Sequence, residues 1–385
     1  MTKCPYCFTQ LNPDLAAFAC TGSCQHIPDE VYSRYRGAQL STKPFTVVRR
    51  PGGRKAETPS RTTCRLCGTV TEMEVCLTCH HPLPSRWRQG RATCVALAGA
   101  RSTGKTNYIA VIVQELREYV IAQNRPFAFV ADSRDVYEKN LRQPLYEQRG
   151  ILSATAAGAG RQMPPIILSL GASQGEPQFL VLRDVAGEDL ERTDDSPHLS
   201  FLARASLIVF LFDPTAVPNV RDLLRDLIPT HQVGGDPSMV LEHVQRLKRG
   251  GRPRLAVTMA KLDTLWHIGD LATGAPARPG EVDVLISAMS NTGSSLRRAV
   301  RTTNKVLLDQ DRMLVHHEVR SLLMLLHATE LVQLVEHDSE VADFRYFALS
   351  ALGHPPDASG LSLHGISPYR VLDPLLWVLS LEGAL

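Results

Sequence analysis

The octapeptide GARSTGKT, which begins at Gly99, combines glycine, lysine and threonine at the spacing G-x4-G-K-T. It follows the apolar run CVALA and precedes a helical pattern whose apolar face carries Ile109, Ile112, Val113 and Leu116. A glycine-rich turn between a strand and a helix directs its backbone N–H groups at a phosphate, and the helix N-terminus adds positive potential. The sequence therefore predicts a phosphate-binding loop.

The residue types in this loop have separate roles. The glycines allow the backbone to curl, Lys105 reaches the β- and γ-phosphates, and the Thr106 hydroxyl binds Mg²⁺. Lys105 is accordingly also a candidate catalytic residue. The predicted nucleotide contacts of the loop are Gly99, Ala100, Arg101, Ser102, Thr103, Gly104, Lys105 and Thr106.

The segment FLVLRDVAGED is an apolar strand that ends at Asp184, and Gly187 follows three residues later. This D-x-x-G resembles the switch II motif of the Ras-like GTPases in the TRAFAC class. The resemblance implies that Asp184 holds Mg²⁺ through water and that the Gly187 amide senses the γ-phosphate. It also implies that Glu188, where this class often has a glutamine, orients the attacking water; a solvent-facing residue of an acidic switch loop is the alternative. A Walker-B aspartate, as in an ATPase, is the alternative for Asp184.

The segment RLAVTMAKLD resembles the guanine-binding motif N/T-K-x-D of the same class. The resemblance implies that Asp263 accepts hydrogen bonds from the guanine N1 and 2-amino groups, and that the stem of Lys261 covers the base. Ala260 departs from the family's Asn or Thr and removes a side-chain tether to the phosphate loop. A strand with a solvated charged end is the alternative.

Two further positions complete the predicted nucleotide site. FRYFALSALG ends in Ser350 and Ala351, which resemble the S-A-K loop whose backbone amide binds guanine O6. In GILSATAAGAGRQMPP, Thr155 is the candidate for the switch I threonine that completes the Mg²⁺ shell. A featureless surface loop is the alternative for this last segment.

Eight of the nine cysteines precede residue 80 and form four close pairs. A gap of two or three residues lets both sulfurs of a pair face one ion, and four thiolates form a closed structural Zn²⁺ site. Grouping the pairs in chain order predicts two zinc ribbons, with ligands Cys4, Cys7, Cys20 and Cys24 in the first and Cys64, Cys67, Cys76 and Cys79 in the second. A disulfide framework is the alternative, but it is typical of secreted chains.

Composition and charge restrict the class of protein. Hydrophobic residues make up 44% and charged residues 21%, as in a soluble globular protein. No apolar run approaches the ~20 residues of a membrane span, and the opening MTKCPYCFTQ has no signal-peptide core. We therefore expect a cytoplasmic protein with no membrane contact.

The amino-terminal region is basic. Residues 1–93 contain 13 Lys and Arg against 6 Asp and Glu, whereas the rest of the chain contains 29 against 33. This excess indicates an acidic partner, although metal-bound thiolates would cancel part of it. The basic stretch RRPGGRKAETPSR lacks interleaved aromatic residues, which favours a solvated linker over a nucleic-acid site.

The motifs occur in Ras-like order, each at the end of an apolar run, where α/β sheets bind ligands. We therefore predict an α/β fold: residues 1–90 form two zinc ribbons, and residues 91–385 form a Ras-like P-loop domain, a mostly parallel sheet flanked by helices, with a helical insert at about 264–343. The amphipathic stripe Val315, Val319, Leu322, Leu323 and Leu326 in this insert is expected to pack in the core.

The whole chain resembles the bacterial double-GTPase group of zinc-ribbon-bearing TRAFAC GTPases. The resemblance implies a GTP-binding switch in a multi-component conflict system, with a second GTPase and adaptor proteins as partners. We expect hydrolysis to be slow because no arginine finger is identified, and such a group contributes about 10³–10⁵ in rate. A P-loop ATPase is the first alternative. The second is a weakly hydrolysing nucleotide-binding scaffold whose ribbons contact protein or nucleic acid.

Overall fold

The computed structural model describes residues 2–49, 59–150, 152, 163–191, 197–223, 234–266, 268, 280–300, 304–338, 340–354 and 365–385. Thr155 and most of the predicted basic linker lie outside these residues.

The amino-terminal module consists of short strands and one helix. Its elements are β1 (Leu15–Ala19), β2 (Ile27–Pro28), α1 (Glu30–Arg36), β3 (Ser41–Thr42), β4 (Phe45–Arg49), β5 (Thr62–Thr63), β6 (Val70–Thr71) and β7 (Glu74–Val75). β1 lies between β4 and β7 in an antiparallel sheet, and β2–β3 and β5–β6 form separate pairs. Because most of these strands are two residues long, backbone pairing alone cannot hold the module together.

A seven-stranded sheet forms the centre of the second module, in the order β14-β13-β12-β8-β11-β10-β9. Its strands are β8 (Arg91–Ala98), β9 (Ala128–Phe129), β10 (Ile166–Ser173), β11 (Glu176–Asp184), β12 (Leu207–Phe212), β13 (Arg254–Met259) and β14 (Phe344–Ala348). β11, β8, β12, β13 and β14 are mutually parallel, whereas β10 is antiparallel to both neighbours. The predicted mostly parallel sheet is confirmed.

The middle strands of the sheet are buried on both faces. β12 is buried at every position and β8 at every position after Arg91. Continuous apolar runs such as LIVFLF are typical of parallel strands covered by helices on both sides. These two strands therefore lie between two helical layers.

The helices cover both faces of the sheet. They are α2 (Lys105–Ala122), α3 (Ser133–Tyr137), α4 (Gly187–Glu191), α5 (Pro218–Leu223), α6 (Pro237–Leu247), α7 (Leu262–Trp266), α8 (Gly280–Ser290), α9 (Lys305–Leu325), α10 (Thr329–Glu336) and α11 (Asp373–Leu381), and a π-helical segment spans Glu138–Glu147. α2 and α11 contribute to the core on one face, whereas α6, α8, α9 and α10 contribute to the core on the other. Within the described residues, no helix combines the length and apolarity needed to cross a bilayer.

The predicted insert contains α8, α9 and α10. The stripe from Val315 to Leu326 on and just after α9 is buried, and α9 packs along β14. The side chain of Asn304 accepts hydrogen bonds from the amides of Val306 and Leu307 and so caps the start of α9. The interpretation of this stripe as core packing is confirmed.

The amino-terminal module shares its apolar core with one face of the sheet. The buried Trp87 stacks on Phe179 at a centroid distance of 4.6 Å, and its indole N–H donates to the Lys3 carbonyl at 2.8 Å. Phe8 meets Phe201 edge-on at 5.1 Å. The two modules are therefore in close apolar contact across the predicted boundary at residue 90.

Candidate nucleotide site and zinc centres

The predicted phosphate loop connects the end of β8 to the start of α2. Gly99 has φ 144° and Gly104 has φ 88°, both in the region that favours glycine. A Cβ atom on Gly99 would lie only 2.1 Å from the Leu211 carbonyl oxygen, so a larger residue cannot fit there. Ser102 also has a positive φ, and the Thr103 hydroxyl donates to the Ala100 carbonyl at 3.0 Å. The strand–turn–helix geometry of the motif is thus present.

The side chain of Lys105 is buried at the base of this loop. Its ammonium donates to the carbonyls of Gly99 at 2.8 Å and Ala100 at 2.7 Å. Burial lowers the pKa of Lys105, and the nearby carboxylates of Asp184 and Glu191 oppose that fall. The ammonium has three donors, so it can bind these two carbonyls and still donate to the phosphate that the sequence predicts here.

Thr106 and Asp184 lie together although 78 positions separate them in the chain. The Thr106 hydroxyl donates to Asp184 Oδ2 at 3.1 Å. Asp184 ends β11, the strand that pairs with β8, so both residues lie at the same edge of the sheet. A hydroxyl and a carboxylate are hard oxygen ligands of the kind Mg²⁺ uses beside substrate phosphates, and this pair fits such an ion.

Two of the predicted switch II residues, Gly187 and Glu188, are the first two residues of α4. Gly187 is buried against the phosphate loop, and a Cβ atom there would lie 2.5 Å from the Arg101 amide nitrogen. Glu188 has a side chain 41% exposed, with Oε1 3.7 Å from the guanidinium of Arg101. The structure therefore brings α4 into contact with the phosphate loop, while the role predicted for Glu188 stays a prediction.

The two predicted guanine motifs meet at the same edge of the sheet. The Ser350 hydroxyl donates to Oδ1 of Asp263 across 87 positions of the sequence. Both residues are buried, and the Gly353 amide donates to the Ser350 oxygen at 2.8 Å. Ala351 follows directly and is half-buried. Asp263 is thus held by a residue of the loop that was predicted to contact the same base.

Asp213, which directly follows β12, belongs to none of the motifs predicted from the sequence. Lys261 donates to Asp213 Oδ2 at 2.7 Å, and Asp213 Oδ1 accepts hydrogen bonds from the amide and hydroxyl of Thr215. This ion pair holds the Lys261 side chain, and the backbone of Lys261 has a φ of 52°, in the left-handed region. Ala260 has no side chain to form the tether that Asn or Thr provides in the family, but its amide donates to the Phe212 carbonyl at 2.8 Å. The sequence signal that could have identified Asp213 is its position, because a carboxylate there directly follows a buried apolar strand.

The predicted grouping of the cysteines in chain order is wrong. The structure brings the first pair together with the fourth, as the outer tetrad, and the second together with the third, as the inner tetrad. The outer tetrad is Cys4, Cys7, Cys76 and Cys79, and the inner tetrad is Cys20, Cys24, Cys64 and Cys67. The arrangement is nested because β1 pairs with β7, which brings the two ends of the module side by side. Spacing within a pair cannot reveal which pairs meet.

Both tetrads fit Zn²⁺. Within each, the four sulfur atoms lie within 4.8 Å of one another, and contacts such as Cys4–Cys79 and Cys7–Cys76 measure 3.7 Å. A tetrahedral zinc ion with Zn–S bonds of about 2.3 Å requires S···S distances of about 3.8 Å, whereas a disulfide requires about 2.05 Å. Within the described residues no cysteine forms a disulfide, and the ninth, Cys94, is buried in β8. The chemistry such ions would supply is structural, since all four ligands come from the protein.

The outer tetrad adjoins the strand that carries Asp184. Arg183, one residue earlier on β11, donates to the carbonyl of Tyr6 between the first two ligands, and its guanidinium carbon lies 3.7 Å from the ring centroid of Phe201. Successive residues of a strand point to opposite faces. Arg183 therefore contacts the cysteine module while Asp184 contacts the phosphate loop.

We expect about two zinc ions per chain, and paired serine substitutions to reveal the nesting. Cys4→Ser with Cys76→Ser removes two ligands from the outer tetrad and should lose one ion. Cys4→Ser with Cys20→Ser weakens both tetrads and should lower occupancy at both. Metal analysis after dialysis against a chelator measures this, with Cys94→Ala as the variant that keeps both ions. If Cys4→Ser with Cys20→Ser instead loses one ion, and Cys4→Ser with Cys76→Ser lowers occupancy at both sites, the grouping in chain order is correct.

Comparison with known proteins agrees with this geometry. The model of the Double-GTPase 2 family matches residues 93–327, a range that contains the phosphate loop, Asp184 and Asp263 but ends before Ser350. A protein of Mycolicibacterium smegmatis described as "Putative ESX-1 scaffolding and assembly protein SaeC" is 39% identical over 400 aligned positions, which cover 100% of both chains. The matched family model spans more than half of the sequence, and we conclude that the chain belongs to the Double-GTPase 2 family.

Proposed function

We propose that this protein is a GTP-dependent scaffold that binds GTP with Mg²⁺, hydrolyses it slowly and changes its contacts with partner proteins according to the bound nucleotide. One observation carries the proposal: a phosphate loop with its Lys105, the Thr106–Asp184 oxygen pair and the Asp263–Ser350 pair all lie at one edge of the sheet. The first two would hold a triphosphate and its magnesium ion, and the third would hold a base.

The carboxylate of Asp263 supports guanine over adenine. Guanine offers two adjacent N–H donors on one edge, which a carboxylate accepts, whereas adenine has no such pair at that edge. The Ser350 hydroxyl holds Asp263 through Oδ1. A P-loop ATPase, in which Asp263 has no base-binding role, is therefore the less favoured function.

The scaffold part of the proposal is supported by the M. smegmatis relative, whose printed description concerns scaffolding and assembly in ESX-1. We propose protein partners of this kind, with a second GTPase and adaptor proteins of a conflict system as the alternative context. The two cysteine tetrads supply a rigid, zinc-held surface for such contacts. Nucleic acid is a possible partner that the composition of the basic linker does not favour. The thiol ligands suit the cytoplasm, where reducing conditions keep them free for zinc.

Lys105→Ala should abolish nucleotide binding in a folded protein. The substitution removes the ammonium that faces the phosphates but leaves the glycines that form the turn, so we expect GTP affinity to fall about a hundredfold or more. Titration of fluorescent GTP and ATP, with and without Mg²⁺, measures the effect, and the exposed Lys139→Ala is the matched control. Unchanged affinity in the folded variant would overturn the phosphate-loop assignment. Preferential ATP binding by the wild type would establish the ATPase alternative.

Asp263→Asn should change base selectivity. The amide presents a donor where the carboxylate accepts, so GTP binding should weaken by about 2–3 kcal/mol. Xanthosine triphosphate carries an oxygen in place of the 2-amino group, so it should bind to the variant better than to the wild type. Competition titrations with both nucleotides test this, and Asp309→Asn, an exposed carboxylate paired with Arg345, is the control. Equal losses for both nucleotides would argue against base contact by Asp263.

Glu188 is proposed to orient the attacking water. The negative charge of Glu188 lies near the polyanionic GTP. Glu188→Gln removes this charge but keeps a group that can hold the water, so it should hydrolyse bound GTP about tenfold faster than the wild type. Glu188→Ala removes the group that holds the water and should be about tenfold slower. Single-turnover hydrolysis by the purified variants measures both rates, with Glu118→Gln on α2 as the control. If both variants match the wild type, another group holds the water or the protein is mainly a nucleotide-binding scaffold.

A further inference from the structure

Arg101, the third residue of the phosphate loop, is joined to α4 through both its main chain and its side chain. Its backbone N–H donates to Glu191 Oε1 and its Nε–H donates to Glu191 Oε2, both at 2.8 Å. A terminal nitrogen of the guanidinium lies 3.7 Å from Glu188 Oε1. One residue of the loop thus holds both oxygens of a single carboxylate.

Glycines enclose this pair. A Cβ atom on Gly187 would lie 2.5 Å from the Arg101 nitrogen, and one on Gly234 would lie 2.2 Å from the Arg101 carbonyl oxygen. A Cβ atom on Gly235 would approach Glu191 Oε1 to 3.3 Å. Three backbone segments therefore converge on the Arg101–Glu191 contact, with no space for a side chain at Gly187 or Gly234.

The contact differs from an ordinary surface ion pair. Arg320 and Glu336 also form a two-point pair, but only guanidinium nitrogens donate in it. In the Arg101–Glu191 contact, one of the two donors is a backbone amide of a loop whose N–H groups are suited to phosphate. Half of the Arg101 side chain is exposed, so screening keeps the stabilising effect of the ion pair small. The carboxylate occupies donors that could otherwise bind another anion.

The location of the contact indicates which phosphate competes for these donors. Arg101 is at the end of the loop that faces α4, whereas the amino terminus of α2 is at the other end. Segments in the position of α4 respond to the γ-phosphate in nucleotide switches. The Glu191 carboxylate also acts on Lys105, the residue predicted to reach the β- and γ-phosphates, since it opposes the fall in that pKa.

We propose that Arg101 holds the γ-phosphate of bound GTP with the same two donors, and that Glu191 is the anion it releases. The inference rests on the proposed GTP binding. Carboxylate and phosphate oxygens both accept charge-assisted hydrogen bonds from backbone N–H and guanidinium donors, but two anions cannot share the same donors. A diphosphate lacks the competing group and leaves the pair intact. Arg101 and Glu191 thus distinguish triphosphate from diphosphate, and the Glu191 end of α4 loses its contact with Arg101 when triphosphate binds, while Gly187 stays beside the loop.

The test compares the affinities of a non-hydrolysable GTP analogue and of GDP. Glu191→Gln removes the competing charge at constant size, so affinity for the analogue should rise about tenfold, with GDP affinity changed less than about twofold. Arg101→Gln removes the guanidinium, so affinity for the analogue should fall about tenfold relative to GDP. Glu336→Gln and Arg320→Gln, from the pair on α9 and α10, are matched controls that should leave the ratio of affinities unchanged.

The outcomes separate this inference from the proposed function. If the wild type binds neither nucleotide, the proposed function fails and the inference fails with it. If the wild type binds both nucleotides, and folded Glu191→Gln and Arg101→Gln keep its ratio of affinities, GTP binding stands and the exchange of anions at Arg101 is overturned. Opposite shifts of the ratio in the two variants support the exchange.

Discussion

The parallel pairing of β8 with β11 on one side and β12 on the other is the constraint on which the candidate site depends. Leu97 of β8 lies opposite Asp184 of β11, so the strand that enters the phosphate loop ends level with the proposed magnesium ligand. β12 pairs in turn with β13, which brings Lys261 beside Asp213. Parallel strands direct their carboxyl ends to the same edge. Residues far apart in the chain therefore form one row of candidate phosphate, metal and base contacts.

The outer cysteine tetrad connects the amino-terminal module to this row. It closes the module next to β11, where Arg183 contacts the backbone between two of its ligands and Asp184 faces the phosphate loop. Phe201, which packs against both Arg183 and Phe8, lies in the segment that follows α4. The surface that contains the outer tetrad is thus in direct contact with the strand and segment expected to respond to nucleotide. A scaffold that presents its partner surface on this module would have a short physical route from bound phosphate to bound protein.

The contact between Arg101 and Glu191 belongs to the same arrangement. α4 touches the phosphate loop at its first residue, Gly187, and again at its last, Glu191. The helix is only five residues long, so a change at either contact affects all of it. From the sequence alone, Arg101 is one of the nucleotide contacts of the phosphate loop, and no residue is identified as an arginine finger. The guanidinium became a candidate for binding the terminal phosphate once the fold brought α4 against the loop.

The sequence alone determined the local chemistry of this protein: a strand–loop–helix phosphate motif, cysteine pairs spaced for one ion, and polar residues where apolar runs end. These features depend on neighbours a few residues away, so spacing and residue type suffice to predict them, and the mainly parallel α/β fold followed from the same runs. Only the tertiary structure decided which distant residues meet. Nesting of the tetrads depends on the pairing of β1 with β7, and the contacts of Asp213 and Glu191 depend on strand order and on the docking of α4. Such contacts depend on the packing of the whole chain, which leaves no short-range pattern in the sequence.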